Sequence, residues 1–279
     1  MALSSQARNI ERREGVGMVA RILLAAEVGR VHLTIDQPVF ILVEHGTKTL
    51  RCGHREWHVR AGEAIAVAAG LKVEIVNRMG SDGRYEAWWL CCDASLLEGS
   101  APVLRTGEPV VDAWPMRPLS SEALEAFARA RSAVSAPERV PLSVARQRVA
   151  EMLVWLGEHG AHFVDAEPAT LSRQLRRLLT TSPGTTWSAD VVGRHLAMSE
   201  ATLRRRLAAE GTSLTELLVD VRMSYALTLL QATDRSVATI ANDAGYESAS
   251  RFALRFRQRF GFAPTEVRGH RRAVPRTAN

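Results

Sequence analysis

Between residues 188 and 268 the sequence repeats one pattern of helix caps and apolar spacing, which restricts the fold more than any other feature. In the first copy, Ser188 can cap a helix that runs to about Ala197, and Ser199 can cap the next helix after a tight turn. That helix, EATLRRRLAAEG, ends at a glycine and has Leu203 and another leucine four residues later on one inward face. The first copy therefore predicts two short helices joined by a tight turn.

The second copy lies about fifty residues later and has the same parts. Ser236 can cap VATIANDAG, Gly245 permits the turn, and Ser248 can cap ASRFALRFRQRFG. Three phenylalanines recur at every fourth position of this last helix and form an inward stripe. They are Phe252, Phe256 and Phe260. The chain therefore contains a duplicated helix-turn-helix pattern.

A single long helix is predicted between the two copies. The segment SLTELLVDVRMSYALTLLQAT opens with Ser213 and Glu216 at the spacing of a capping box. A helix of about 18 residues spans roughly 27 Å, close to the ~34 Å between successive major-groove faces of a DNA duplex. A rigid connector of this length could present both second helices to the same side of DNA.

The charge of the chain is divided unequally. Residues 168–279 contain 17 arginines and 9 acidic residues, whereas residues 1–167 have slightly more acidic than basic residues. Neutralisation of phosphates supplies most non-specific affinity for DNA, so this division favours a nucleic-acid-binding part fused to a regulatory part. The alternative is a solvated basic surface in an arginine-rich chain, and charge alone does not decide between the two.

Residues 168–270 resemble the DNA-binding domain of the AraC/XylS family of bacterial transcription regulators. The second copy carries the more specific likeness in SVATIANDAGYESASRFALRFRQRFGFAPTEVR. The first copy matches through ATLRRRLAAEGTSL, and the connector through Arg222, Ala226 and Leu229. The resemblance implies a regulator, typically an activator, that binds double-stranded promoter DNA and acts with RNA polymerase.

The resemblance also implies where DNA is contacted, namely on the exposed front of each second helix. The implied base contacts are Glu200, Ala201, Arg204 and Arg205 in the first unit and Ser250, Arg251 and Arg255 in the second. Arg257 and Arg259 are expected to contact phosphates. For Arg204 and Arg205, a phosphate contact without base specificity is the alternative to a base contact. The chain departs from the family at Leu254, where an arginine is common.

The N-terminal half predicts a different fold. From Val31 to about Asp93 short apolar strands alternate with turns, and glycines punctuate them at 46, 53, 62, 70, 80 and 83. We expect a small antiparallel barrel, and FILVEHGTKTLRCGHREWHVRAGEAIAVAAG resembles the cupin-like barrel of regulators in this family. The expected fold class is therefore an α+β two-domain chain, with a β-barrel and helices before an all-α double helix-turn-helix.

The expected domain boundaries follow from these patterns. Residues 1–165 form the regulatory and dimerisation domain, with the barrel at about 20–95, a proline-containing loop after it, and helices at about 120–160. Residues 166–279 form the DNA-binding domain, with its first unit at about 188–210, the connector at about 213–231 and the second unit at about 236–260.

A metal-dependent cupin enzyme is the rival reading of the barrel. Its candidate ligands are His45, His54, His58 and Glu63, but the His-X-His spacing of metal cupins is absent. Adding Cys52 would suggest zinc, although a single cysteine between strands is more often a small core residue. We expect no metal, no cofactor and no enzymatic activity.

Control of the regulator is left open between two kinds of signal. Relatives with such barrels bind a small-molecule effector or respond to a regulatory protein partner, and the aromatic residues Trp57, Trp88 and Trp89 could line a pocket or simply fill a core. The helix RQRVAEMLVWLGEHGAHF resembles a dimerisation helix, so we expect a homodimer. Its apolar stripe, either a dimer seam or a face packed on the barrel, consists of Leu142, Val149, Leu153 and Leu156.

The expected compartment is the cytoplasm. No run of about 18 apolar residues predicts a membrane helix, and the first residues lack the apolar segment of a signal peptide. The three cysteines, an odd number that includes the adjacent Cys91 and Cys92, fit a reducing compartment better than a disulfide framework.

Overall fold

The structure, a computed structural model, describes residues 10–24, 27, 29–97, 107–164 and 170–268. The expected domain boundary at 165/166 lies outside the described residues and stays a prediction. The strands are β1 (Ile10–Arg13), β2 (Gly17–Leu24), β3 (Val31–Thr34), β4 (Val39–His45), β5 (Thr47–Cys52), β6 (Arg55–Arg60), β7 (Ala64–Val67), β8 (Lys72–Arg78), β9 (Tyr85–Cys92), β10 (Glu108–Val110), β11 (Ala113–Met116) and β12 (Ala161–Phe163). The helices are α1 (Ser121–Ser135), α2 (Leu142–Glu158), α3 (Leu171–Thr181), α4 (Ala189–His195), α5 (Glu200–Ala209), α6 (Leu214–Ala232), α7 (Val237–Asp243) and α8 (Ala249–Phe260).

The N-terminal strands form two sheets that share one core. The larger sheet has the order β1-β2-β9-β4-β7-β11 and the smaller one the order β3-β8-β5-β6, with antiparallel pairing throughout. Ile22 and Ile41 of the larger sheet belong to the same core as Leu50 and Ile75 of the smaller sheet. The expected fold class is confirmed. The barrel-like part consists of two facing sheets, and among the described residues no strand of one sheet pairs with a strand of the other.

The larger sheet is buried on both faces, which explains why β9 is apolar without interruption from Ala87 to Cys92. Tyr85, Ala87 and Trp89 point into the core between the sheets. Leu90 and Cys92 point to the opposite face, where α1 and α2 form a second core with the sheet. A strand covered on both faces loses the apolar and polar alternation of a half-exposed strand.

The proline-containing loop expected after the barrel contains two short strands. Pro115 lies in β11, which pairs with β7 at one edge of the larger sheet, and Pro109 lies in β10, which pairs with β12 in a two-stranded parallel sheet. Proline cannot donate to a ladder and is therefore tolerated in edge strands. The expectation of a loop was wrong at these residues.

The apolar stripe of α2 packs mainly inside the chain. Val149, Leu153 and Leu156 are at most 2% exposed and belong to the core formed with α1 and the larger sheet, whereas Leu142 is 51% exposed. The sequence left open whether this stripe is a dimer seam or a face packed on the barrel. Val149, Leu153 and Leu156 pack on the sheet. A homodimer through α2 would have to use its outer face, which includes Leu142, Val144 and Val154.

The C-terminal helices form two connected cores. Helices α3, α4 and α5 pack with the first half of α6, whereas α7 and α8 pack with its second half. This second half also packs against β2, so that the core between the sheets continues into the helices. Within the described residues, none of the helices combines the length and apolar character needed to cross a bilayer.

Lys48 is buried between the two sheets with 1% of its surface exposed. Its ammonium donates a hydrogen bond to Asn77 Oδ1 at 2.7 Å and lies 5.5 and 5.3 Å from the ring centroids of Tyr85 and Trp89. Burial disfavours the charged amine and lowers the pKa of Lys48 to about 7, from an ordinary value of 10.5.

We expect the free energy of unfolding to rise by roughly 1–2 kcal/mol between pH 7 and pH 8.5 because of Lys48 alone. In this range the unfolded chain keeps the lysine proton and the folded chain loses it, so the unfolded state binds more protons and stability rises with pH. Lys48→Met should remove the rise, measured by urea unfolding at both values. Lys72→Met, at an exposed position of β8, is the control. A rise that persists in Lys48→Met would contradict the assignment.

Candidate nucleic-acid interface

The first helix-turn-helix unit consists of α4 and α5. The hydroxyl of Ser188 accepts a hydrogen bond from Val191 N, and that of Ser199 accepts one from Thr202 N, so both expected caps are confirmed. Helix α4 ends at His195, two residues earlier than expected, and the chain turns at Ala197 with φ of 51°. A β-carbon at Gly193 would lie 2.6 Å from Met198 O, so the tight packing of the turn on α4 requires glycine there.

The second unit consists of α7 and α8 and repeats this construction. The hydroxyl of Ser236 accepts from Thr239 N and that of Ser248 accepts from Arg251 N. Gly245 makes the turn with φ of +76°, and a β-carbon there would meet the carbonyl oxygen of Gly184 at 2.9 Å. Glycine is therefore required at this turn for both its conformation and its close approach.

The outer face of α5 presents the residues expected to contact bases in the first unit. Leu203 and Leu207 are each 1% exposed and anchor the inner face in the core with α3, α4 and α6. Glu200, Ala201, Arg204 and Arg205 are all exposed. The Arg204 guanidinium pairs with the Glu200 carboxylate at 2.7 Å, one turn earlier on the same helix. The contacts of these residues with DNA stay a prediction.

The outer face of α8 presents the residues expected in the second unit. The phenylalanine stripe is buried, with Phe252 and Phe256 at 0% exposure and Phe260 at 7%. Ser250, Arg251, Arg255 and Arg257 are exposed. Leu254, at the position where the family often has arginine, is 60% exposed.

Arg259 has a different position from the one expected for a phosphate contact. Its guanidinium donates to Asp220 Oδ1 through Nε at 2.7 Å, and its side chain is only 27% exposed. It therefore ties the end of α8 to α6. Of the two arginines expected to contact phosphates, Arg257 is the exposed one.

Arg222 on α6 holds the two units in a fixed arrangement. Its guanidinium donates to the carbonyl oxygens of Pro183 and Thr185, both at 3.0 Å, in the segment that leads into the first unit. It also donates to the carbonyl oxygen of Gly245 at 3.3 Å, in the turn of the second unit. One side chain thus bridges the start of the first unit and the turn of the second.

An ionic chain that sequence reasoning missed joins the N-terminal sheets to the second unit. Arg176 on α3 pairs with Asp36, between β3 and β4, and with Asp220 on α6, each at 2.7 Å. Asp220 in turn pairs with Arg259 on α8. No sequence signal points to this chain of contacts, because Asp36 and Arg176 are 140 positions apart.

Asp36 and Asp220, the two carboxylates of this ionic network, differ in pKa. Burial raises the pKa of Asp36, and its single partner Arg176 offsets only part of that effect. Burial acts in the same direction on Asp220, but the guanidiniums of Arg176 and Arg259 outweigh it and hold the pKa below the ordinary value of 3.8. Asp220 is therefore the charged centre of the network.

Three of the residues weighed as metal ligands have other partners. His45 pairs with Asp82 at 3.0 Å, His58 pairs with Glu56 at 3.0 Å, and the Glu63 carboxylate accepts from Arg60 N at 2.9 Å. Within the described ranges, no three His, Cys, Asp or Glu side chains converge as a metal-binding group. Trp88 and Trp89 lie on opposite faces of β9, so the aromatic residues do not form one pocket.

Helices α4 to α8 form a double helix-turn-helix domain. Its two units lie on one long connector, and each has an exposed, arginine-bearing second helix. A family profile described as "Helix-turn-helix domain" matches residues 192–270. This part of the chain is therefore similar to the helix-turn-helix domains of known transcription regulators.

Curated relatives match the same part of the chain. The urease operon transcriptional activator of Escherichia coli is 34% identical over 97 residues, which is 35% of this chain and 33% of that protein. The regulator YdeO of E. coli strain K12 is 33% identical over 98 residues, 35% of this chain and 38% of that protein. The regulator GadX of E. coli is 38% identical over 80 residues, 29% of each chain. The chain thus spans about a third of the length of the curated relatives it matches.

Solved structures extend the likeness to nearly the whole fold. Vibrio cholerae ToxT with a bound unsaturated fatty acid aligns over 91% of this chain and 96% of its own, with a TM-score of 0.59 and 14% identity. The apo form of a single-residue variant of ToxT aligns over 92% of this chain and 97% of its own, with a TM-score of 0.60 and 13% identity. At these identities the likeness concerns the fold alone.

Proposed function

We propose that this chain is a transcription regulator that binds promoter DNA through the outer faces of α5 and α8. The observation that carries the proposal is the pair of exposed, arginine-bearing helices fixed on one connector by Arg222. Arginine can donate two hydrogen bonds to the major-groove edge of guanine, and such pairs discriminate between bases. We further propose that it is an activator that acts with RNA polymerase, supported by the relative named as an activator.

The test is selection of duplex DNA from a random library by the full-length chain, followed by binding measurements over a range of salt. Affinity for the selected DNA should fall steeply as salt rises, because phosphate contacts release counterions. Arg204→Ala should cost roughly 1–3 kcal/mol of binding and relax preference at one base position. Arg129→Ala, on α1 and far from both units in the sequence, is the control.

Two results would count against this assignment. An equal loss of affinity on every sequence would make Arg204 a phosphate contact. No detectable binding to any selected DNA at low salt would remove the proposed function itself.

We also propose that a small molecule controls the regulator from a cavity between the sheets and α6. The cavity has a volume of about 160 Å³. Its walls include Met18, Ala20 and Trp89 from the larger sheet and Tyr225 and Thr228 from α6. Cavities of this size hold molecules as small as a benzene ring, so we expect a compact ligand.

Two polar atoms at the cavity support a ligand with a hydrogen-bonding group. Ser224 Oγ and Trp89 Nε1 are buried and have no hydrogen-bond partner among the described residues. A buried polar group without a partner costs free energy, which a suitable ligand would recover. The structural neighbour ToxT has been solved with an unsaturated fatty acid and with a naphthyl butenoic acid, both compounds with an apolar body and a polar end.

We expect native mass spectrometry of the full-length chain, purified without added ligand, to show a retained organic mass. Ser224→Phe should abolish this mass by filling the cavity, whereas Ser143→Phe, at an exposed position of α2, should leave it unchanged. A chain that carries no small molecule would favour the rival proposal, control by a regulatory protein partner. The same spectrum reports whether the chain is a homodimer.

A further inference from the structure

Leu254 is the most unusual side chain on the exposed face of α8. Among the described residues 170–268 it is the only exposed large apolar side chain, with 60% of its surface accessible. A lone exposed leucine is ordinary on a protein surface. Its significance here depends on where it lies and on what surrounds it.

Helical geometry places Leu254 at the outermost point of α8. It lies two residues after Phe252 and two before Phe256, about 160° around the helix from each. Both phenylalanines are fully buried, so the leucine points directly away from the protein core. It shares this outer face with Arg251 and Arg255, which also border the shallow depression beside the turn of the second unit.

The charge around Leu254 identifies the kind of surface that it faces. Helix α8 has the sequence ASRFALRFRQRF, with four arginines and no acidic residue. Three of them, Arg251, Arg255 and Arg257, are exposed around the leucine. Such a face complements a polyanion, and within the major groove of DNA the one apolar group on a base edge is the C5-methyl of thymine.

We propose that Leu254 is a specificity-determining residue that packs against the C5-methyl group of a thymine in the DNA site read by α8. The assignment rests on the proposed DNA-binding function and deepens it by naming the base. Contact with the methyl removes apolar surface of both partners from water, and a cytosine at the same place offers no methyl to pack against. Leu254 thus adds an apolar contact to a helix whose other exposed contacts are polar.

The test uses deoxyuridine, which lacks only the C5-methyl of thymidine and keeps the same base-pairing edge. DNA is first selected from a random duplex library by the full-length chain, and each thymine of the selected site is then replaced in turn. We expect one replacement to weaken binding of the wild-type chain about fourfold, the change for burying one methyl-sized group. Leu254→Ala should bind the thymine and uracil duplexes equally, whereas Leu142→Ala, at a comparably exposed leucine of α2, should keep the wild-type response.

A second variant tests the assignment through specificity. Leu254→Arg should select guanine at the position where the wild-type chain selects thymine, because arginine can donate to both major-groove acceptors of guanine.

Three outcomes would overturn the assignment. The first is a wild-type chain that binds its selected DNA and is insensitive to every uracil, and the second is Leu254→Ala with undiminished sensitivity. The third is DNA binding by Leu254→Ala and Leu254→Arg that does not differ from that of the wild-type chain, which would show that Leu254 does not contact DNA. A chain that enriches no sequence would overturn the proposed function at the selection step, before uracil is introduced, so the two failures are distinguishable.

Discussion

Phe256→Ala should lower the free energy of unfolding by about 3–5 kcal/mol, the cost of removing a large aromatic side chain from a packed core. Phe256 is fully buried, and its ring centroid lies 5.6 Å from that of Phe252, 4.7 Å from that of Phe260 and 6.0 Å from that of Phe262. The substitution leaves a cavity at the contact between α8 and the rest of the second unit. Urea unfolding followed by circular dichroism measures the loss.

Phe262→Ala is the matched control, since it removes the same type of ring from the edge of the same cluster. Phe262 is half-buried and follows the end of α8, so we expect a loss of about 1 kcal/mol. DNA binding should weaken in Phe256→Ala at temperatures where the second unit loosens. Equal losses for the two variants would show that Phe256 does not hold α8 in place.

Asp220→Asn should lower the free energy of unfolding by about 2–4 kcal/mol at neutral pH, because it leaves two partly buried guanidiniums without their shared carboxylate. The side chains of Asp220 and Arg176 are only 21% and 10% exposed, so water replaces the lost pairs poorly. Since the pKa of Asp220 is held below 3.8, its contribution is present above that pH and is lost as the pH falls through the lower folded value. The difference between variant and wild type should therefore shrink as the pH falls below 3.8.

Asp190→Asn provides the comparison for Asp220→Asn. Asp190 pairs with Arg194 one turn later on α4, and both side chains are about 70% exposed, at 68% and 70%. An exposed pair of this kind contributes little, so we expect a change below about 0.5 kcal/mol. Equal effects of the two substitutions would mean that the ion pairs linking Asp36, Arg176, Asp220 and Arg259 do not stabilise the fold.

The helix-turn-helix units could be predicted from the sequence because their signals are local. Each cap is a serine whose hydroxyl accepts from a backbone N–H three residues later, and each inward face repeats every four residues. Ser213 likewise caps α6 by accepting from Glu216 N. Such contacts do not depend on the rest of the fold, so the sequence alone specifies them.

Other features could not be predicted because they depend on residues far apart in the chain. The partner of Arg259 is 39 positions away on another helix, and nothing near Arg259 distinguishes it from Arg257. The stripe of α2 has the same spacing whether it faces a second chain or its own sheet, and only the fold shows that Val149, Leu153 and Leu156 face the sheet. Strand β11 was missed because its proline is typical of a loop.

Helix α6 closes one side of the cavity, and Asp220 and Arg222 on the same helix hold the two units that we propose to bind DNA. An occupant of the cavity and a bound duplex would therefore act on the same helix. Thermodynamic reciprocity follows: whatever factor the occupant applies to the affinity for DNA, DNA applies to the affinity for the occupant. Because Arg222 bridges both units, a shift of α6 would move both units and so change the contacts with both halves of a DNA site together.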